Sequence, residues 1–145
     1  MGKVHLIGIA KKSGDAVQMV KSAEAIPNMG LLDDRKFKEN NQKESQITLI
    51  EIENINHFNK ISKTNINPID FRRNIITENI KLNDLVGHEF FVGKVKLKAH
   101  DLCRPCKYLQ NKLNQNNLIK EFLLTGGIRC EILSGGKINM GDDIK

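Results

Sequence analysis

The run Cys103-Arg104-Pro105-Cys106-Lys107 places two thiols beside two cations. A thiolate is a nucleophile and a soft metal ligand, and the protonated thiol is neither. Pro105 suits the first position of a helix, where its missing N–H costs nothing. The spacing therefore predicts Cys106 within the first turn of a helix, facing unpaired backbone N–H groups. That setting, with Arg104 and Lys107 alongside, draws a thiol pKa down from about 8.5. Cys106 is thus a candidate nucleophile, metal ligand or persulfide carrier. Rival chemistries use the same residues. A Cys-x-x-Cys pair is half of a zinc site, and only Cys130 and His100 are available to complete it. A thioredoxin-like dithiol needs a βαβ setting, against which the hairpin signals of this chain argue. Cysteines also simply pack, which is the reading for Cys103 and Cys130.

A second group of residues suits an anion. Pro68-Ile69-Asp70-Phe71-Arg72-Arg73-Asn74-Ile75-Ile76 joins two arginines and an asparagine to an apolar run. The arginine fork makes two parallel charged hydrogen bonds to phosphate. Asparagine both donates and accepts, so Asn74 could fix one edge of a heterocycle. Asp34-Arg35, Lys21-Ser22 and Arg129 add further cations, and Gly126-Gly127 offers close backbone approach. The competing explanation for each arginine is a surface ion pair, with Asp70 for instance. Together the residues describe a basic, glycine-lined pocket holding a thiolate.

The elements that must position these groups are mostly strands. Val4 to Ala10, Ala16 to Val20, Ile47 to Ile50 and Arg73 to Glu78 suit short strands, and Ile52, Ile55, Phe58 and Ile61 draw a helical stripe. Phe90 to Val92 and Val95 to Ala99 read as a hairpin about Gly93-Lys94, with Lys94, Lys96 and Lys98 on a solvated face. Leu109 with Leu113, and Leu118, Ile119, Phe122 with Leu123, predict two short helices, the second ended by Gly126 and Gly127. The tail reads as a hairpin, Arg129 to Leu133 and Lys137 to Met140 around Ser134-Gly135-Gly136. Lys36 to Ser45 is expected to be a flexible loop, a potential flap over a site. The fold class this implies is mainly β with peripheral helices.

Bulk composition sets bounds. The chain has 145 residues, 39% hydrophobic and 28% charged, which suits one globular domain over 1–145. No apolar run has the roughly 18 residues of a membrane-spanning helix, and the N-terminus reads as a strand rather than a signal peptide. Three cysteines, an odd number, argue against a secreted disulfide framework and for the cytoplasm. The net charge of +6 does not point to nucleic acid, because the lysines are dispersed and aromatics are only 5%. A small anionic ligand is the middle reading.

The order of these segments resembles the MOSC domain, named from the C-terminal part of molybdenum-cofactor sulfurases. Asp33-Asp34-Arg35 is similar to the family's Gly-Asp-Arg, and Ser45-Gln46-Ile47-Thr48-Leu49-Ile50-Glu51 to its Arg-Gln-Val-Ser/Thr-Leu-Ile-Glu. Phe71-Arg72-Arg73-Asn74-Ile75 resembles Phe-Arg-x-Asn-Ile, and Leu85-Val86-Gly87 with Phe90-Phe91-Val92-Gly93 resembles Leu-x-Gly and Phe-x-Ile-Gly. Pro105-Cys106 resembles the Pro/Arg-Cys of the family's characteristic cysteine. Gly126-Gly127-Ile128-Arg129 and Gly136-Lys137-Ile138-Asn139-Met140-Gly141-Asp142 resemble its closing segments.

The resemblance implies a MOSC-type (pyruvate-kinase-like) β-barrel and a pocket for the molybdenum cofactor (Mo-molybdopterin), a pterin bearing a dithiolene and a phosphate. It implies Cys106 as the molybdenum ligand of a reductase of N-hydroxylated substrates, or as a persulfide carrier. Arg72 and Asn74 would hold the cofactor, with Arg35, Lys21, Arg129, Gly126 and Gly127 as further candidates. An oxidoreductase of this kind needs an external electron donor, for which the chain has no flavin, haem or iron–sulfur motif. The alternative is a non-enzymatic carrier serving a cofactor-accepting protein. Outside the family reading stands a small redox or zinc module on Cys103 and Cys106. Two departures stand out. Asp33 replaces a glycine, which matters if that position needs positive φ, and Cys103 is not general to the family.

Overall fold

The protein is described here by a computed structural model, over residues 2–145. The strands are β1 (Gly2–Ile9), β2 (Gln18–Val20), β3 (Ser22–Ile26), β4 (Gly30–Leu31), β5 (Ile47–Glu51), β6 (Ile75–Glu78), β7 (Glu89–Val92), β8 (Val95–Leu102), β9 (Ile128–Ser134), β10 (Gly136–Asn139) and β11 (Asp143–Ile144). The helices are α1 (Ile52–Ser62), α2 (Lys107–Lys112) and α3 (Leu118–Glu121). The larger sheet runs β11-β7-β8-β9-β5-β6-β1, and β1 pairs back onto β11 through Gly2–Ile144 and Lys3–Asp143. The pairings therefore close on themselves, as the barrel expectation requires. The other half of the same β1 edge carries β2, from Ile7–Val20 to Ile9–Gln18. A second sheet, β10-β3-β4, lies beside the ring.

Strand patterning explains the closure. In β7, β8 and β9, buried residues alternate with more exposed ones, so Phe90, Val92, Val95, Leu97, Ala99, Ile128, Cys130 and Ile132 share one interior. β5 and β6 are different, because their apolar runs are nearly continuous. They form a parallel pair, from Leu49–Ile75 to Glu51–Thr77, joined by a crossover that includes α1. A parallel pair under a crossover helix is buried on both faces. Ile47, Leu49 and Ile75 point into the barrel, and Ile50 and Ile76 pack outward in a second core. That core gathers Ile52, Ile55 and Phe58 of α1 with Phe71, Leu109, Leu118 and Phe122. Phe58, Phe71 and Phe122 form a triad with ring centroids 5.0–6.0 Å apart, and each such side chain contributes about 1.5–3 kcal/mol on burial.

Several expectations need correction. Ile61 is exposed on α1, and Leu123 is exposed beyond the end of α3. α3 ends at Glu121, before the double glycine, which instead lets the backbone pass close to β5. Gly127 has φ +101°, and a Cβ there would collide with the Leu49 carbonyl. The tail is not a hairpin: β9 pairs with β5 and β8, and β10 crosses to the other sheet to pair with β3. Gly136, at φ +150°, makes that departure. The segment 36–45 is ordered by its own polar groups rather than loose. Asn41 is buried, and its side-chain amide donates to the carbonyls of Met29 at 2.9 Å and Lys36 at 2.8 Å.

Candidate functional site

Three loops and the start of α2 converge on a cleft of about 330 Å³, lined by Ser13, Gly14, Arg35, Lys36, Arg72, Arg73, Cys106, Tyr108 and Leu109. Each cation is held by its own backbone setting. The buried Asp34 carboxylate accepts from the backbone of Ala10 at 3.1 Å and of Lys36 at 3.3 Å, and the Arg35 N–H donates to the Ala10 carbonyl at 2.6 Å. The 33–36 turn is thereby cinched to the end of β1, and Arg35 Nη1 sits 3.6 Å from Asp34 Oδ1. Asp33 has φ +71°, so this position does demand the left-handed conformation for which glycine is the usual choice.

Arg72 follows a 3-10 turn, Pro68–Phe71, that Asn67 caps by accepting from the Ile69 N–H at 3.2 Å. Its backbone ends that turn at φ +64°, a conformation costing roughly 1–2 kcal/mol without glycine. Its side chain is buried, and Nη1 donates to the Asp15 carbonyl at 2.7 Å, tying down the Ser13–Gly14 loop. The next residue, Arg73, donates from Nε to the Gly126 carbonyl at 2.9 Å. Neither guanidinium makes a further hydrogen bond among the described residues.

The cations of the cleft depress one another. Burial pushes the Arg35 guanidinium below its ordinary pKa; Asp34 opposes this, and Arg72 and Arg73 add to it. Burial, then Arg35 and Arg73, depress the Lys36 ammonium, against smaller opposing pulls from Cys103 and Asp34. Four cations crowd one cleft whose lining holds no carboxylate, so a bound anion would relieve their mutual repulsion.

Cys106 is the exposed thiol in this cleft. It is the N-cap of α2 rather than a first-turn residue, and Pro105 lies one position before the cap. The shift follows from its extended backbone, φ −121° and ψ 158°, which turns Sγ back to accept the Leu109 N–H at 3.4 Å. The neighbouring cations expected from the sequence are not those that line the cleft: Arg104 reaches Asp101 at 3.8 Å, and Lys107 is exposed. Arg35, Lys36, Arg72 and Arg73 take their place.

The two cysteines of the motif are not equivalent. Cys103 is buried, and burial pushes its thiol pKa up, against the pull of Arg73, Lys36 and Arg129. Cys130 is deeper in the barrel and is raised further. The chain does contain one parallel βαβ unit, β5-α1-β6, but the cysteine motif follows the antiparallel β8 instead. A zinc site is not assembled either. Cys130 points into the barrel, whereas His100 bonds Glu131 at 2.8 Å on the outer face. Among the described residues no group of three or more potential His, Cys, Asp or Glu ligands comes together.

Other candidates stand apart from the cleft. Asn74 spends its side chain on structure: Oδ1 accepts from the Thr48 N–H at 3.1 Å and hydroxyl at 3.2 Å, and Nδ2 donates to the Gly8 carbonyl at 3.4 Å. It therefore positions Arg72 and Arg73 by locking β6 to its neighbours. Lys21 lies at the bend between β2 and β3, outside the cleft lining. Arg129 pairs with Asp101 at 3.0 Å on the outer face of the barrel. Gly126 acts through its carbonyl on Arg73, and Gly127 through its approach to β5. Sequence reasoning placed Arg73 in the anion-suited segment without naming it a cofactor contact, and it left out Lys36, Tyr108, Ser13 and Gly14. Arg73 and Lys36 adjoin the residues it chose, Arg72 and Arg35, but adjacency in sequence does not say which side chain faces inward.

A family model described as "MOSC domain" matches residues 33–145. The chain belongs to the MOSC domain family. Among solved structures, the YuaD protein of Bacillus subtilis superposes with a TM-score of 0.82 at 19% identity, covering 99% of this chain and 94% of that one. YiiM from Geobacillus stearothermophilus gives 0.80 at 15% identity, covering 99% and 74%. YiiM from Escherichia coli gives 0.71 at 14%, covering 99% and 67%. These likenesses concern the MOSC fold. Comparison with curated proteins gives no match. MOSC domains as a family are associated with the molybdenum cofactor. No helix here is long and apolar enough to cross a membrane, among the described residues.

Proposed function

We propose that this MOSC domain binds the molybdenum cofactor in the cleft around Cys106. One observation carries the reading: an exposed thiol shares a cleft with four cations and no carboxylate. The donor set fits a group that presents both a soft metal and a phosphate. Thiolate sulfur is the ligand class soft metals select, and arginine forks match phosphate. Arg35, Lys36, Arg72 and Arg73 would hold the anionic end, and Cys106 would ligate the metal. When bound, the cofactor supplies two-electron redox chemistry at molybdenum. The chain's part is to bind and orient it: Asp34 fixes Arg35 and Lys36, the Asp15 carbonyl fixes Arg72, and the Gly126 carbonyl fixes Arg73.

Reduction of an N-hydroxylated substrate is the reaction we favour, with electrons from a separate donor. The exposure of Cys106 also favours a second reading, in which the domain hands cofactor or persulfide sulfur to another protein. Expression in a host that makes the cofactor, followed by molybdenum and pterin analysis, tests the common core. Both should be present in the wild type and fall in Cys106→Ala and in Arg73→Ala, while circular dichroism stays unchanged. Stoichiometric zinc without pterin would sink the proposal. Turnover of an N-hydroxylated base with a supplied reductant then separates enzyme from carrier.

A further inference from the structure

The molecule has a second cleft, of about 390 Å³, whose lining charges are balanced in sign. It lies between the β1–β2 side of the barrel and the small sheet, and shares no lining residue with the thiol cleft. Ile9 and Leu32 give it an apolar floor. Lys11 and Lys137 face it with positive charge, and Glu24 and Asp33 with negative charge. Lys137 and Glu24 are register partners on β10 and β3. Even so, none of the four enters an ion pair or a side-chain hydrogen bond among the described residues. Four charges of balanced sign thus converge on one concavity without neutralising each other.

Asp33 turns the chain beside this cleft at φ +71°. The turn divides two sites: Leu32 and Asp33 face this cleft, and Arg35 and Lys36 face the other. The volume lies within the usual range for ligand pockets, roughly 300–1,000 Å³, and an apolar floor with a few convergent polar groups is their usual make-up.

We propose that this cleft binds a small zwitterion with an apolar body, of the amino-acid type. The balance of charge carries the choice of class. A simple anion would gain from the two lysines and be repelled by the two carboxylates, and a simple cation the reverse. A dipolar ligand satisfies one group of each sign and lays its apolar part on Ile9 and Leu32. The thiol cleft, with four cations and no carboxylate, makes the opposite selection. The site is independent of the molybdenum cofactor, so it is tested on cofactor-free protein.

The experiment is an amide chemical-shift titration of the full chain with L-phenylalanine. Phenethylamine and hydrocinnamate serve as single-charge controls, and glycine as the control lacking a body. L-phenylalanine should shift the amides of Lys11, Glu24, Asp33 and Lys137 and leave those of Cys106 and Tyr108 in place. Each control should bind at least about tenfold more weakly, as expected for loss of one charged contact or of the apolar one. The surface variants Glu24→Gln and Lys137→Gln should each weaken binding to a similar degree while the remaining amide spectrum is unchanged. No shift at these four residues, or equal binding by either single-charge control, overturns the proposal.

Discussion

At the scale of residues, the three cysteines are separated by burial. Cys106 is exposed at the cleft, and Cys103 and Cys130 are buried with raised thiol pKa values. Reactivity follows thiolate fraction and access. A thiol reagent at neutral pH should therefore modify one cysteine quickly in the native protein and all three in denaturant. The fast phase should vanish in Cys106→Ser and persist in Cys103→Ser. Two fast native thiols would contradict the burial of Cys103. The type of a side chain showed which groups could do chemistry, but not whether they are free to do it. Asn74 illustrates the point. Its amide is suited to recognising a ring, yet both of its ends are consumed by Thr48 and Gly8. Arg73 was not among the cofactor contacts that the family resemblance implied, yet it lines the cleft.

At the scale of elements, backbone strain is concentrated where chain direction changes. Lys63 closes α1 in the left-handed conformation at φ +54°, with its N–H bonded to the carbonyls of α1's last turn. Glycine is the usual residue at that position. Lys63→Gly should raise stability by about 1 kcal/mol, read as a higher urea midpoint with an unchanged slope. Gly127→Ala makes the opposite case, since it adds a Cβ against the Leu49 carbonyl at φ +101°. It should cost about 3 kcal/mol or more, and a midpoint within error of wild type would contradict the close approach. Glycine pairs in the sequence announced these bends without saying what they served. Gly126-Gly127 looked like a helix stop and proved to be a close crossing. Gly135-Gly136 looked like a hairpin tip and proved to be a departure to another sheet.

At the scale of the whole molecule, burial of thiols in the barrel has a pH consequence. Cys103 and Cys130 have folded-state pKa values raised by desolvation. Above the unfolded-state value of about 8.5, the unfolded chain releases protons that the native chain retains. Stability is therefore full below that pH and falls as pH rises beyond it. Urea midpoints measured from neutral pH upward should decline more steeply for wild type than for Cys130→Ala, once each is referred to its own neutral value. Equal slopes would mean that Cys130 titrates freely in the fold.

What the amino-acid sequence determined by itself was local and periodic. Alternation in β8 and β9, the unbroken apolar runs of β5 and β6 and the stripe of α1 required a mainly β fold with helices outside it. The ordered motifs were specific enough to mark the MOSC family, because each records a backbone constraint such as the positive φ at Asp33 or the cap at Cys106. Only the tertiary structure decided which strands close the ring, which sheet receives β10, and which cations surround the thiol. Those outcomes depend on contacts between residues far apart in the chain, such as Asp34 with Ala10, Arg72 with Asp15 and Arg73 with Gly126. Residue type makes such pairs possible, but packing selects among them, since a charged group is left free for a ligand only where the folded surroundings supply no other partner.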